Sequence, residues 1–225
     1  MKFEHCLLEL PKLQRIDRDG RRYYKKADSD DEQAFVSITS VTSFFNREIF
    51  KNWRKRIGEE EANKITNRAT ARGTSTHTLI EAYTLNEELP EAPELPMKLF
   101  ETAKPALHRI GKIYGMELAM YSETLGIAGT VDNIAEFDGD LAIIDYKTSE
   151  KPKKREWIDH YFVQAMAYGM MLYEMTGMKV KKLVIIMTCE NGELEVYEET
   201  NLAKYMKLVV KYIKHFVKES LKDGN

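Results

Sequence analysis

Asp138-Gly139 stands between two apolar, strand-like runs, Ile127 to Phe137 and Leu141 to Thr148, and is a strong two-residue hairpin signal. A turn of that kind fixes register. With those two residues as the loop, Phe137 pairs with Asp140, and counting back sets Asp132 opposite Asp145. Directly paired side chains sit about 5 Å apart at Cβ, and like charges there destabilise a sheet. Lys147 lies two residues beyond Asp145 and shares its face. Two facing acids with a lysine alongside make poor structure but a good seat for a divalent cation and a phosphate. A bulge would alter the pairing without abolishing the site.

The run Leu141-Ala142-Ile143-Ile144 reads as a strand buried on both faces. A charge at its end is expensive unless it is paired or bound to a metal. An ion pair with Lys147 would satisfy Asp145 but leaves Asp132 over. Tyr146 turns to the other face, while its backbone carbonyl could serve a hard cation.

His77 and Glu81 share a helix face at i, i+4 spacing. Arg72 to His77 has a loop-to-helix look, with Thr74 or Ser75 as N-cap. His77 could give one imidazole to a carboxylate-rich metal site; the plainer reading is a His–Glu hydrogen bond. Glu123 is a further candidate acid, or simply a solvent-facing strand end. His160, Gln164 and Tyr168 form a polar stripe on an otherwise apolar helix, where Met166, Ala167, Met170 and Met171 read as core packing. Lys151-Pro152-Lys153-Lys154-Arg155 follows the acid-bearing strand. Lys51, Arg54, Lys55 and Arg56 surround Trp53. Such cations could grip phosphates and an aromatic could stack on a base. Equally, Glu59-Glu60-Glu61 could neutralise the second group, and the spacing of Trp53 with Ile49, Phe50 and Ile57 reads as core.

The 225 residues suit one sizeable domain. A net charge of −2 gives no global attraction to a polyanion, so a nucleic-acid surface must be a local patch. Cys6 and Cys189 alone cannot form a four-cysteine zinc or iron–sulfur site and suit a reducing compartment. No run approaches a membrane span, and the N-terminus resembles neither a signal nor a transit peptide.

Along the chain, Arg21 to Lys25 and Ala34 to Ile38 read as a hairpin around the acidic loop Asp28 to Glu32. The periodicity predicts helices over Ser40 to Asn67, Arg72 to Leu85 and Met97 to Ile113. Strands follow over Met116 to Glu123 and through the central hairpin. Then come a long helix from Trp157 to Met175, a second hairpin around Asn191-Gly192, and a final helix capped by Asn201. The expected class is α/β: a mixed central sheet flanked by helices, with a helical N-terminal part. Residues 1–70 are expected to be an N-terminal hairpin and helical DNA-binding part, and 71–225 the core.

Taken together, Gly73-x-x-x-His77-x-x-x-Glu81, Gly129-Thr130-Val131-Asp132, Asp145-Tyr146-Lys147-Thr148-Ser149 and Gln164-x-x-x-Tyr168 resemble the PD-(D/E)XK nuclease superfamily, specifically its RecB-like branch. Val131 stands where the family usually has proline. The resemblance implies a restriction-endonuclease-like core. It implies His77, Asp132, Asp145 and the Tyr146 carbonyl as ligands of Mg²⁺ or Mn²⁺, and Lys147 as catalytic. Gln164 and Tyr168 then support the site or substrate. Arg72, Lys151, Lys153, Lys154, Arg155, Trp53, Arg54 and His160 are the expected nucleic-acid contacts.

Ile38 to Thr42 and Phe50 to Arg54 look like the stand-alone exonucleases of mitochondrial genome maintenance and their phage and bacterial relatives. That implies an exonuclease on single-stranded DNA. The scarcity of cysteines argues against an iron–sulfur cluster, the N-terminal residues favour a bacterial or phage-infected cytoplasm, and a monomer is expected. A nuclease for duplex ends, flaps or RNA, and an inactive DNA-binding or interaction module, remain alternatives.

Overall fold

The Asp138-Gly139 turn forms as its chemistry requires: both residues have positive φ, 49° and 82°, the signature of the tight hairpin turn that matches strand twist. Phe137 pairs with Asp140, and the ladder runs back without a slip to Asn133 and Ile144. There it stops, one step short of Asp132 and Asp145.

The chain is described by a computed structural model covering residues 2–27 and 33–223; the expected acidic loop, Asp28 to Glu32, lies outside the described residues. In order, the elements are β1 (Leu13–Arg18), β2 (Arg21–Lys26), β3 (Ala34–Ser37), α1 (Ile38–Ile57), α2 (Glu59–Thr84) and α3 (Glu94–Leu107). Next are β4 (Ile110–Ser122), β5 (Ile127–Phe137), β6 (Asp140–Ser149), α4 (Asp159–Thr176), β7 (Lys182–Cys189), β8 (Leu194–Glu199) and α5 (Leu202–Asp223). Eight strands of the described residues form one mixed sheet, so the fold is the α/β, restriction-endonuclease-like class expected. The strand–helix–strand step is a parallel one, β6 pairing with β7.

One strand organises the sheet. β4 runs along one edge of β5 almost end to end. Its other edge is shared: β3 pairs with Ile127 and Ala128, and β6 pairs with Asn133 to Phe137. Gly129 to Asp132 therefore face no strand on that edge. The sheet is split there, and the split is where the acids lie.

Alternation along β6 and β7 feeds two cores. Ile143, Leu183 and Ile185 pack under α1, α4 and α5, while Ala142, Ile144, Tyr146, Val184 and Ile186 pack under α2 and α3. Met166, Ala167 and Met171 are core, as the apolar pattern of α4 implied.

Several expected boundaries move. The single helix over Ser40 to Asn67 is broken at Gly58, whose φ of 89° suits glycine. The break is reinforced electrostatically: Arg54, Lys55 and Arg56 sit in the last turn of α1 and Glu59 to Glu61 in the first turn of α2, each complementing its helix dipole. α2 then runs unbroken through Gly73 to Ser75, so no N-cap exists at Thr74 or Ser75, and the expected boundary at residue 70 falls inside a helix. Burial of Thr76, Leu79, Ile80 and Ala82 outweighs the loop-like local sequence. Thr76 and Thr78 return their hydroxyls to backbone carbonyls four residues back. The helix expected to reach Ile113 ends at Leu107, because Ile110 and Ile113 are taken into β4. The N-terminal hairpin gains an unforeseen third strand, β1, around the Asp19-Gly20 turn. No helix among the described residues is long and apolar enough to cross a membrane.

Candidate active site

Asp132 leaves the ladder and uses its side chain instead. Its Oδ2 accepts the Tyr146 backbone N–H at 2.8 Å, satisfying a donor that the departing β5 would otherwise orphan. The register read from the turn was right; the two carboxylates nevertheless flank the strand split and do not form a ladder pair.

Asp145 is 1% exposed. Its Oδ1 accepts from Gln164 Nε2 at 3.2 Å, and its Oδ2 forms an ion pair with Lys147. That Oδ2 and Asn133 Oδ1 are the buried side-chain oxygens without a well-formed hydrogen bond among the described residues. Burial pushes the Asp145 pKa up to about 6; Lys147 opposes the rise and Asp132 adds to it. For Lys147, burial works against the charge, but Asp145 and Asp132 outweigh it and hold the ammonium above the ordinary lysine value.

α4 supplies the polar stripe. Gln164 also reaches the Tyr168 hydroxyl at 3.4 Å. Tyr168 is fully buried, its ring seated against Gly129, where a Cβ would lie 2.8 Å from Tyr168 Cε1. His160 sits beside Tyr161, ring centroids 4.1 Å apart. Burial, aided by the ammonium groups of Lys153 and Lys147, lowers the His160 pKa to about 4. Its folded value lies below the ordinary ~6.5, so the unfolded chain takes the proton first on acidification. Stability from this residue is present above about pH 6.5 and is lost as the pH falls toward 4. An NMR titration of the imidazole should give a midpoint near 4. A midpoint at the ordinary value would mean that the ring is solvated.

From the other side, α2 contributes His77. Its Nε2 is 2.9 Å from the Tyr146 carbonyl, and its Nδ1 is 3.8 Å from Asp132 Oδ2 and 4.0 Å from Glu117 Oε1. Burial disfavours charge on His77, but Asp132 and Glu117 overcome it and raise its pKa. Ligand atoms of His77, Glu117 and Asp132 all lie within 4.8 Å of one another, a donor set of two carboxylates and an imidazole that suits Mn²⁺ or Mg²⁺. The expected ligands are thus partly regrouped: His77 and Asp132 converge, the Tyr146 carbonyl meets His77, and Asp145 faces Lys147 and Gln164. Glu81 shares a small cleft of about 470 Å³ with Gly73, His77 and Glu117.

Glu117 was not singled out from the sequence; Glu123 was, and Glu123 instead pairs with Lys26. The signal for Glu117 is backbone strain invisible in sequence: a φ of 42° within β4, costly for a side chain with a Cβ and frequent at functional sites.

The basic residues sort by their partners. Arg72 is tied to Glu190 and Thr148. Arg155 is held by Asp159, Glu199 and Tyr205. Arg54 bridges the α1–α2 break to Glu59 and Asn63. Each of these three guanidiniums, all expected nucleic-acid contacts, faces an acid in this fold, and Arg54 with its partner Glu59 also lines the groove between α1 and α4. Lys151 and Lys154 are exposed, and Lys153 reaches Tyr161 Oη at 2.8 Å. The stripe expected to bury Trp53 is a surface one: Ile49 is 70% and Phe50 47% exposed. Phe50 and Trp53 pack on each other, centroids 5.1 Å apart. Between α1 and the start of α4 lies a groove of about 870 Å³, lined by Arg47, Phe50, Lys51, Lys55, His160 and Gln164 among others. It leads to Asp145 through Gln164.

A family model described as the PD-(D/E)XK nuclease superfamily matches residues 48–220, and the chain belongs to that superfamily. It is similar to Mitochondrial genome maintenance exonuclease 1 of Homo sapiens, 31% identical over 112 residues covering 47% of this chain and 33% of that protein. Its counterpart in Mus musculus is 30% identical over 130 residues, 52% of this chain and 38% of the mouse protein. The chain thus spans about a third of the length of these curated relatives. A crystal structure of a candidate exonuclease from Eubacterium rectale aligns over 86% of this chain and 69% of its own, at TM-score 0.39 and 14% identity, too distant to carry an argument.

Proposed function

We propose that this protein is a metal-dependent deoxyribonuclease that digests single-stranded DNA from an end, in replication, recombination or repair. The observation that carries the chemistry is the split in the sheet. It brings a buried carboxylate–lysine pair, Asp145 and Lys147, beside a separate imidazole–carboxylate cluster. The donors of His77, Glu117 and Asp132 fit a divalent cation. Such an ion, when bound, would neutralise phosphoryl charge and lower the pKa of an attacking water. Lys147 is suited to donate hydrogen bonds to the scissile phosphate or to orient the water. Its raised pKa argues against a free general base. Gln164 holds the Asp145 carboxylate, and Tyr168 holds Gln164.

The preference for a single strand rests on the α1–α4 groove. Its cations would follow a backbone, and Phe50 in its lining, backed by Trp53, offers a stacking face that any base can use. Digestion of end-labelled single-stranded, duplex and flap DNA, each with Mn²⁺ and with chelator, tests this. Ladder-wise shortening of the single strand, abolished by chelator, is expected. Equal cutting of duplex would remove the single-strand preference, and cutting in chelator would remove the metal. Lys51→Gln together with Lys55→Gln should flatten the slope of log affinity against log salt by roughly one unit per lysine, measured by anisotropy. An unchanged slope would take the strand out of this groove.

A further inference from the structure

Lys153 differs from the other expected phosphate contacts. It lies on the connection after β6, and its backbone carbonyl accepts the Tyr197 hydroxyl at 2.5 Å, which fixes the segment. Its side chain is folded inward, half-buried, with Nζ 2.8 Å from Tyr161 Oη and 5.2 Å from the Tyr161 ring centroid. Lys147 Nζ lies 5.1 Å from the same centroid. One tyrosine thus gathers two ammonium groups. Among the described residues no carboxylate pairs with Lys153, whereas Arg54, Arg72 and Arg155 are each neutralised.

Ordering a lysine costs rotamer entropy, and half-burying it with no acid beside its charge adds to that cost. Lys147 already has Asp145 as its partner, so the charge left to be balanced is that of Lys153. Such an arrangement is favourable when an anion completes it. The Tyr161 hydroxyl accepts from Lys153 and so keeps its own O–H to donate. Tyr161 also lines the α1–α4 groove beside Gln164, where a strand reaching Asp145 must pass.

We propose that Lys153 and Tyr161 form a second phosphate subsite beside Lys147, which holds the phosphodiester next to the scissile one. The inference rests on the nuclease reading above. Tyr161 acts as both positioning residue and donor: its hydroxyl places Lys153, and its ring supports Lys147.

Single-turnover and steady-state digestion of end-labelled oligonucleotides, with the folded full chain checked by thermal melting, tests this. Lys153→Gln should raise KM about tenfold with kcat nearly unchanged. Tyr161→Phe, which keeps the ring, should shift KM in the same direction. The double variant should cost less than the two single variants combined, because the Tyr161 hydroxyl acts partly by placing Lys153. Lys153→Arg should recover most of the loss. Placing one neutral methylphosphonate beside the scissile linkage should raise the wild-type KM and erase the difference between wild type and Lys153→Gln. A Lys153→Gln penalty that persists on that strand, additive effects in the double variant, or wild-type KM in both single variants would each overturn the subsite. A nuclease reading that failed would show differently: no metal-dependent digestion by wild type, or full digestion by Asp145→Asn.

Discussion

Asp145→Asn should lower strand cleavage by at least about 10²–10³-fold, the usual cost of removing one preorganised charge-stabilising group. The carboxylate it removes is 1% exposed, ion-paired to Lys147 and held by Gln164. Asparagine keeps the shape but can neither attract a cation nor balance the ammonium. Lys147→Ala should be as damaging, through loss of the donor to the phosphate. Each single change also leaves one buried charge facing less of its partner, so each should destabilise the fold, by about 3–5 kcal/mol where a buried pair is broken. Replacing both, as Asp145→Asn with Lys147→Met, removes the uncompensated charge. Stability should largely return while cleavage does not. Cleavage of an end-labelled strand and thermal melting, followed together across the three variants, separate chemistry from folding. Wild-type cleavage in Asp145→Asn would place the chemistry elsewhere.

Gly129→Ala should damage both the core and the site through one added methyl. The added Cβ would lie 2.8 Å from Tyr168 Cε1, 3.1 Å from its hydroxyl and 3.2 Å from Ile38 Cγ2. Tyr168 is 1% exposed and has no open space to swing into. Overpacking of this kind costs about 1–3 kcal/mol, which lowers Tm by roughly 2–4 °C per kcal/mol in a chain of this size. Activity should fall further than stability, because displacing Tyr168 disturbs Gln164 and through it Asp145. Shortening the ring in the same background, with Tyr168→Leu, should recover stability but not activity. A melting temperature unchanged in Gly129→Ala would show that the ring does not press on the strand.

Both expectations concern residues that the amino-acid sequence itself makes prominent. The central hairpin is legible there because its determinants are local: an Asp-Gly turn and alternating apolar runs specify the strands and the register together. The stripe of Gln164 and Tyr168 is legible because helical spacing is also local. The segments that read differently from their fold are those where local preference meets tertiary burial. Gly73 to Ser75 look like a loop, yet α2 passes through them because its neighbours are buried under the sheet. Ile49, Phe50 and Trp53 have the spacing of a core stripe, yet Ile49 and Phe50 are exposed and Trp53 is half-buried. Arg72 and Arg155 are basic residues at suggestive places, but acids distant in sequence, Glu190 and Glu199, take their charges.

By itself, the sequence determined the α/β class, the hairpin and its register, and the acids and lysine that gather around it. Those depend on interactions reaching a few residues along the chain. Only the tertiary structure decided that β3 and β6 share one edge of β5, which opens the sheet at Asp132. It also brought Glu117 to His77 and separated neutralised arginines from available lysines. These outcomes turn on which strands become neighbours and which charges meet across the fold, and no local pattern encodes a contact between segments that only folding brings together.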